Sequence, residues 1–279
     1  MILAMETCVT CSRFGEEQGL TMIREAGFDG VDYTFFSPDG CALLDERYME
    51  RAAHTKELLD RLGLVCHQAH APFLFRYEHG EFEGHPLWVG VCRSIEYAAH
   101  LGAQHIIIHP IDQLPEGVDL VEYNTRYLGS FAETARRFGI RIGIENGPPS
   151  HVINELLVRL EDGLYICCVD VGHCNEPARN YHPQNMIAEI APGKLQALHL
   201  HDNKGMVGRI GDDHNLPYLG VMDWDAILRA LAERRYPGDV TLEIVGYLES
   251  LPPAVFPQAL ALAHGVGRDL QRRLQTLLA

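Results

Sequence analysis

The sequence predicts an α/β fold, a single (β/α)8 TIM barrel spanning residues 1–279. Three observations carry that reading. Short runs of β character alternate with longer helical patterns from end to end, the pattern of a parallel sheet wrapped by helices. The alternation repeats eight times, in units of roughly 35 residues, which favours a closed barrel over an open doubly wound sheet. No Pro/Ser-rich linker or composition break divides the chain, and about 250 residues is an ordinary length for one such barrel.

The first strand is expected at residues 2–7, followed by an amphipathic helix at 17–26 that Gly27 terminates. Strand two, 30–34, leads into helix 45–62 and its closing Gly63. Strand three, 64–70, precedes helix 86–101, ended by Gly102. Strand four, 105–109, contains the apolar triplet Ile106-Ile-Ile108 and is followed by helix 123–138 with Gly139. These glycines stand where a helix reverses into the next strand, because a C-capping residue adopts left-handed backbone angles at little cost only when it lacks Cβ. Strands at 140–145, 165–170, 195–201 and 240–245 pair with helices at 152–160, 183–190, 223–235 and 260–278 to complete the set.

Composition excludes several function classes. With 23 Lys plus Arg against 38 Asp plus Glu the formal charge is −15, which disfavours a nucleic-acid partner because phosphate backbones are gripped by clustered cations. Hydrophobic residues at 47% and charged residues at 22% fit an ordinary soluble globular protein. No run approaches the roughly 18 apolar residues of a membrane span. The start, Met1-Ile-Leu-Ala-Met-Glu6, lacks the basic region of a secretory signal, so the expected location is cytoplasmic. The eight cysteines then read as reduced thiols, and Cys8 and Cys11, a lone C-x-x-C, as loop residues. No G-x-G-x-x-G follows the first strand and no phosphate-binding G-x-x-x-x-G-K-[ST] occurs.

In an α/β barrel the site is built from the C-terminal strand ends and the loops that follow. Strand three ends in His70, strand four in His109, strand five in Glu145, and strand six in Asp170 with His173 three residues on. Strand seven carries His199 and His201, strand eight Glu243, and the loop after strand seven Asp212, Asp213 and His214. Six consecutive strands thus deliver His, Asp or Glu to one mouth, and such groups leave unpaired charge near the core unless a metal or partner satisfies them. Mixed carboxylate and imidazole donors suit Mn²⁺, Zn²⁺, Co²⁺ or Fe²⁺, and the lack of a thiolate cluster points to an open catalytic site rather than a structural zinc.

From Ala26-Gly-Phe-Asp-Gly-Val-Asp32 to Glu243 these motifs resemble the xylose isomerase-like barrel superfamily, which holds sugar-phosphate isomerases, ketose 3-epimerases and endonuclease IV. The resemblance to the epimerase branch implies Glu145, Asp170, His199 and Glu243 as ligands of one divalent metal. Glu145 and Glu243 would double as the catalytic acid/base pair, and His173, in a D-x-x-H arrangement, would hold substrate. His70-Ala-Pro, His109-Pro, Glu145-Asn, Asp170-x-x-His173, His199-x-x-Asp202, Asp212-x-His214 and Glu243 also resemble the endonuclease IV branch. On that reading His70, His109, His173, Asp212 and His214 become further ligands and up to three Zn²⁺ bind. Asp212-Asp-His214 with Asp223-Trp224 is equally similar to uncharacterised sugar isomerase-like proteins.

The −15 charge and the apolar, acidic loop Phe35-Phe-Ser-Pro-Asp-Gly-Cys41 weigh against DNA as substrate. Phe35, Phe36, Phe73 and Trp88 are candidate walls around a small polyol. The expectation is a divalent-metal-dependent sugar or sugar phosphate isomerase/epimerase, moving a proton between two glutamates through a metal-stabilised enediolate. Its partner is a small-molecule carbohydrate, and its metal Mn²⁺, with Zn²⁺ or Co²⁺ as alternatives. The alternative is an endonuclease IV-like multi-zinc phosphoesterase. In the one-metal reading His70 and His109 contact substrate hydroxyls or support ligands. Asp202 either orients a ligand or caps its loop, His201 is unassigned, and Lys204 and Arg209 are solvated or anchor an anion. The exposed barrel helices and the resemblance are compatible with a homo-oligomer.

Overall fold

A computed structural model describes residues 1–35, 43–73, 75–207 and 210–279. The first half of the barrel comprises β1 (Leu3–Glu6), α1 (Cys8–Phe14), α2 (Glu16–Ala26), β2 (Gly30–Thr34), α3 (Tyr48–Leu62), β3 (Val65–His70), α4 (Pro86–Leu101) and β4 (His105–Ile108). The second half runs through α5 (Leu120–Gly129), α6 (Ala132–Phe138), β5 (Arg141–Glu145), α7 (Ser150–Arg159), β6 (Tyr165–Asp170), α8 (Pro183–Glu189) and β7 (Leu195–His199). It ends with α9 (Trp224–Glu233), β8 (Val240–Leu242), α10 (Val245–Glu249) and α11 (Phe256–Leu278).

The eight strands lie in the order β7-β6-β5-β4-β3-β2-β1-β8, each ladder parallel. A parallel bridge between Leu200 and Leu242 closes the ring, with Leu200 N donating to Thr241 O at 2.9 Å and Glu243 N to Leu200 O at 3.1 Å. All eight strand ends therefore face one opening, as the sequence predicts. Register shifts at Val31/Asp32 and at Cys167/Cys168 interrupt two ladders, and irregularities of this kind re-aim side chains near functional sites.

Ile107, Ile166, Cys168 and Ala197 form a small packed group of their own, while Ile106, Ile108, Ile142 and Ile144 belong to the larger core. Gly143 makes room for this packing: a Cβ there would sit 2.6 Å from Ile107 Cδ1. Each fully buried Ile contributes about 2 kcal/mol of transfer free energy.

Two local expectations are corrected and one element is added. The helix expected at 123–138 is two, α5 and α6, separated at Ser130 and Phe131. The Ser130 hydroxyl turns back to Tyr127 O at 2.6 Å and accepts Trp88 Nε1 at 2.8 Å, a local alternative to the helical ladder. Cys8 and Cys11 lie on α1 rather than in a loop, both free. Burial, with neighbouring Glu6 and Glu16 respectively, pushes each thiol up to about 12, so neither is a reactive thiolate. The five-residue α10 is too short for a periodic signature. Among the described residues no helix is long and apolar enough to cross a membrane.

Candidate metal centre

Glu145, Asp170, His199 and Glu243, from β5 to β8, offer one ligand atom each within 4.8 Å of one another. His199 is fully buried, and its Nδ1 lies 3.2 Å from Glu145 Oε1, 3.1 Å from Glu243 Oε2 and 4.0 Å from Asp170 Oδ2. Its other nitrogen, Nε2, is 2.9 Å from Asp32 Oδ2. A neutral imidazole has a single N–H, so it cannot donate on both sides. Either the ring is an imidazolium, or Nδ1 shares a cation with the carboxylates around it. The donor chemistry fits a divalent metal: three carboxylates, one imidazole and no thiolate. Glu243 Oε2 is buried without a hydrogen-bond partner among the described residues, which a ligated cation would satisfy.

Glu145 is the hub. Its Oε2 lies 3.1 Å from His70 Nε2 and 2.9 Å from His109 Nε2, and these two histidines form with it a second donor group. Burial raises its pKa, but the imidazoles of His109 and His199 outweigh that and hold the carboxyl well below the usual range. Burial likewise opposes ionisation of Asp170, yet His173 and His201 keep it strongly ionised.

His173, His201, Asp212 and His214 form a third group. His173 Nε2 is 3.1 Å and His214 Nε2 3.2 Å from Asp212 Oδ2. His201 Nε2 lies 2.9 Å from Asp170 Oδ1, and its ring stacks on His214 at 3.8 Å between centroids. Gly172 permits this stack, since a Cβ there would fall 1.8 Å from His201 Cε1. His214 itself has a φ of 43°, a strained backbone state for a non-glycine of the kind found at functional sites. Burial lowers the His214 pKa, but Asp212 and Glu243 raise it to about 10.

A cavity of about 540 Å³ opens over these groups, within the range of small-molecule sites. Its lining includes His70, His109, Glu145, His173, Asp212, His214 and Glu243, with Phe73, Tyr181 and Met206 as apolar walls. Ten of the eleven strand-end and loop residues named from sequence fall in these donor groups, and Asp213 does not. The wall assignments fare less well. Phe73 does line the cavity, its ring 5.0 Å from His109. Phe35 is corrected: it packs against Tyr33 and Tyr97 at 5.1 and 4.9 Å, inside the core. Trp88 is corrected too, being stacked on Phe131 and bound to Ser130. Phe36 and Arg209 lie outside the described residues. Lys204 is exposed and absent from the described cavity lining.

Among the described residues, the side-chain hydrogen bonds of Asp202 cap its loop. Asp202 accepts from Asn203 N, Tyr218 N and Trp224 Nε1 at 2.9, 3.0 and 2.8 Å. The carboxylate behind the buried imidazole is instead Asp32, a residue sequence reasoning used only as part of a motif. His201, unassigned from sequence, gains partners in Asp170 and His214, and Glu6 is a second residue not foreseen. Glu6 ends β1 beside Asp32 and is 2% exposed; burial, then Glu243, pushes its pKa up to about 8. Glu6 obeys the same strand-end rule as the others and was findable by it.

A family model described as Xylose isomerase-like TIM barrel matches residues 20–264. An uncharacterized protein of Sinorhizobium fredii, y4fM, is 27% identical over 287 residues, covering 86% of this chain and 87% of that protein. Among solved structures, a D-tagatose 3-epimerase-like protein superposes with a TM-score of 0.76 at 19% identity over 100% of both chains. The IOLI protein with a zinc atom bound gives 0.72 at 16% identity, covering 98% of each chain. D-psicose 3-epimerase in the presence of D-fructose gives 0.72 at 15%, covering 97% of this chain and 99% of that one. At these identities the structural likeness is one of fold.

Proposed function

The chain belongs to the xylose isomerase-like TIM barrel family, and from that premise we propose a divalent-metal-dependent isomerase or epimerase acting on a ketose or related carbohydrate. The observation that carries the reading is the convergence of Glu145, Asp170, His199 and Glu243 under a cavity of small-sugar size. The named epimerases among the structural neighbours agree with it, as does the −15 charge, which favours a small substrate over a DNA duplex.

A bound Mn²⁺, Zn²⁺ or Co²⁺ would polarise the substrate carbonyl and acidify the neighbouring C–H. The chain's own residues supply the rest. Glu145 is ionised at neutral pH and positioned by three imidazoles, so it is ready to accept a proton from the substrate carbon. Glu243, on the far side of His199 Nδ1 and 15% exposed, reaches the same cavity and returns a proton. His173 and His214, both lining the cavity, hold substrate hydroxyls, and Phe73 and Met206 exclude water from the reacting carbon.

The test is isotope exchange. Metal-loaded protein incubated with candidate ketoses in D₂O should place deuterium on the carbon beside the carbonyl; no exchange with any of them overturns the reading. The three donor groups favour one second reading, a multi-metal phosphoesterase. Metal analysis separates the two: about one Mn²⁺ or Co²⁺ per chain supports the isomerase, and close to three Zn²⁺ with cleavage of a phosphodiester supports the hydrolase.

A further inference from the structure

Asp32 sits on β2, in the middle of a strand rather than at its end, and is 1% exposed. The sheet register breaks beside it: Val31 pairs with Cys66, but Asp32 pairs with Gln68, skipping His67. That shift places the Gln68 amide against the Asp32 carboxylate, with Gln68 Nε2 donating to Oδ2 at 2.6 Å. The same oxygen receives His199 Nε2 at 2.9 Å, and His199 is the only ion-pair partner of Asp32 among the described residues. A buried carboxylate is unfavourable unless compensated, and the hydrogen bonds that compensate Asp32 come from one imidazole and one amide.

We propose that Asp32 is the positioning residue of the metal centre: it accepts the Nε2–H hydrogen bond of His199 and so leaves Nδ1, the nitrogen beside Glu145 and Glu243, as the ligand atom. An imidazole free to choose its tautomer would spend part of its time with the proton on Nδ1, where it would compete with a cation for the same lone pair. Asp32 removes that state, and Gln68 fixes the carboxylate so that the ring cannot rotate away. The role matches the outer carboxylates that orient metal-bound histidines, whose loss costs about 10- to 100-fold in metal affinity.

The inference rests on the proposed metal-dependent function, and its test is built to fail separately from that of the function. Dissociation constants for Mn²⁺ and Zn²⁺ are measured by competition with a chelating dye for the wild type, Asp32→Asn and Asp32→Ala. Circular dichroism of the metal-free proteins checks that they fold. Binding should weaken about tenfold in Asp32→Asn and nearer 100-fold in Asp32→Ala. A folded Asp32→Ala protein with the wild-type constant overturns the proposal. Should the variants misfold, long-range ¹⁵N–¹H spectra of the zinc-loaded wild type decide it, with the His199 signal identified by its loss in His199→Gln. A proton on Nε2 with Nδ1 coordinated supports the assignment; a proton on Nδ1 overturns it. Weakened binding without proton exchange on any ketose would leave Asp32 in its role and refute the isomerase reading alone.

Discussion

Strand β3 carries His67 towards the barrel floor and His70 at the mouth, while β4 begins with His105 and is followed by His109. The two ends use the same residue types to different effect. At the floor, His67 Nδ1 is 3.4 Å from Asp239 and Nε2 is 3.0 Å from Thr241 Oγ1, one partner per nitrogen. Asp239 also accepts Ile2 N at 2.6 Å and lies 3.8 Å from the N-terminal ammonium. Burial, then Arg141, holds His105 down to about 3, so that ring is neutral in the fold. At the mouth, Glu145, Asp170, Asp212 and Glu243 have only histidines as ion-pair partners among the described residues. Buried histidine therefore does not mark a metal centre. What distinguishes the mouth is four carboxylates gathered with histidines, without Lys or Arg as ion-pair partners among the described residues.

The largest expected contrast is catalytic. Glu145→Gln or Glu243→Gln should lower proton exchange by about 10²- to 10⁴-fold, the usual worth of a general acid or base. His67→Ala should leave exchange unchanged and instead lower the melting temperature; full activity in either Gln variant would refute the two-base assignment. Metal removal comes next. Chelation should lower the melting temperature by roughly 10 °C, because a ligand at 1,000 times its dissociation constant stabilises by about 4 kcal/mol. A floor variant should show the same loss with and without metal, measured by calorimetry. His67→Ala itself removes two partnered contacts and should cost about 1–3 kcal/mol, or roughly 5 °C.

The smallest effect is a pH dependence. Glu6 titrates near 8 in the fold against 4.5 unfolded, so between those values the folded state retains a proton that the unfolded chain releases. Stability falls as pH rises through that window and is fully lost to this group above about 8. Metal-free Glu6→Gln should therefore gain in melting temperature relative to wild type from pH 5 to pH 8. A difference that stays constant across the window would show that Glu6 is ionised in the fold.

The barrel was legible because its period is coarse: eight alternations capped by glycines survive small errors at each boundary. The clustering of strand-end histidines and carboxylates was legible for a related reason, since strand ends in a barrel share one destination whatever the loops do. Asp32 escaped because it lies mid-strand, where direction depends on a register shift that no sequence pattern announces. His201 was placed on strand seven without a role because β7 stops at His199, and the chain beyond it turns towards Asp170 and His214. Phe35 and Trp88 were misplaced because aromatic residues near a mouth look alike in sequence whether they face the cavity or the helices.

Asp202 is one buried carboxylate that fastens both edges of the segment after β7, holding Asn203 on one side and Tyr218, Met222 and Trp224 on the other. Between those fixed points lie Asp212 and His214 of the third donor group and Met206 of the cavity wall, so the freedom to change falls to the exposed positions among them. Variation at Lys204, Val207 and Ile210, all exposed, would remodel that stretch while Asp212 and His214 keep their contacts with His173 and His201. The clamp makes that stretch a tethered rim, and libraries confined to Lys204, Val207 and Ile210 are the economical place to search for altered substrate preference.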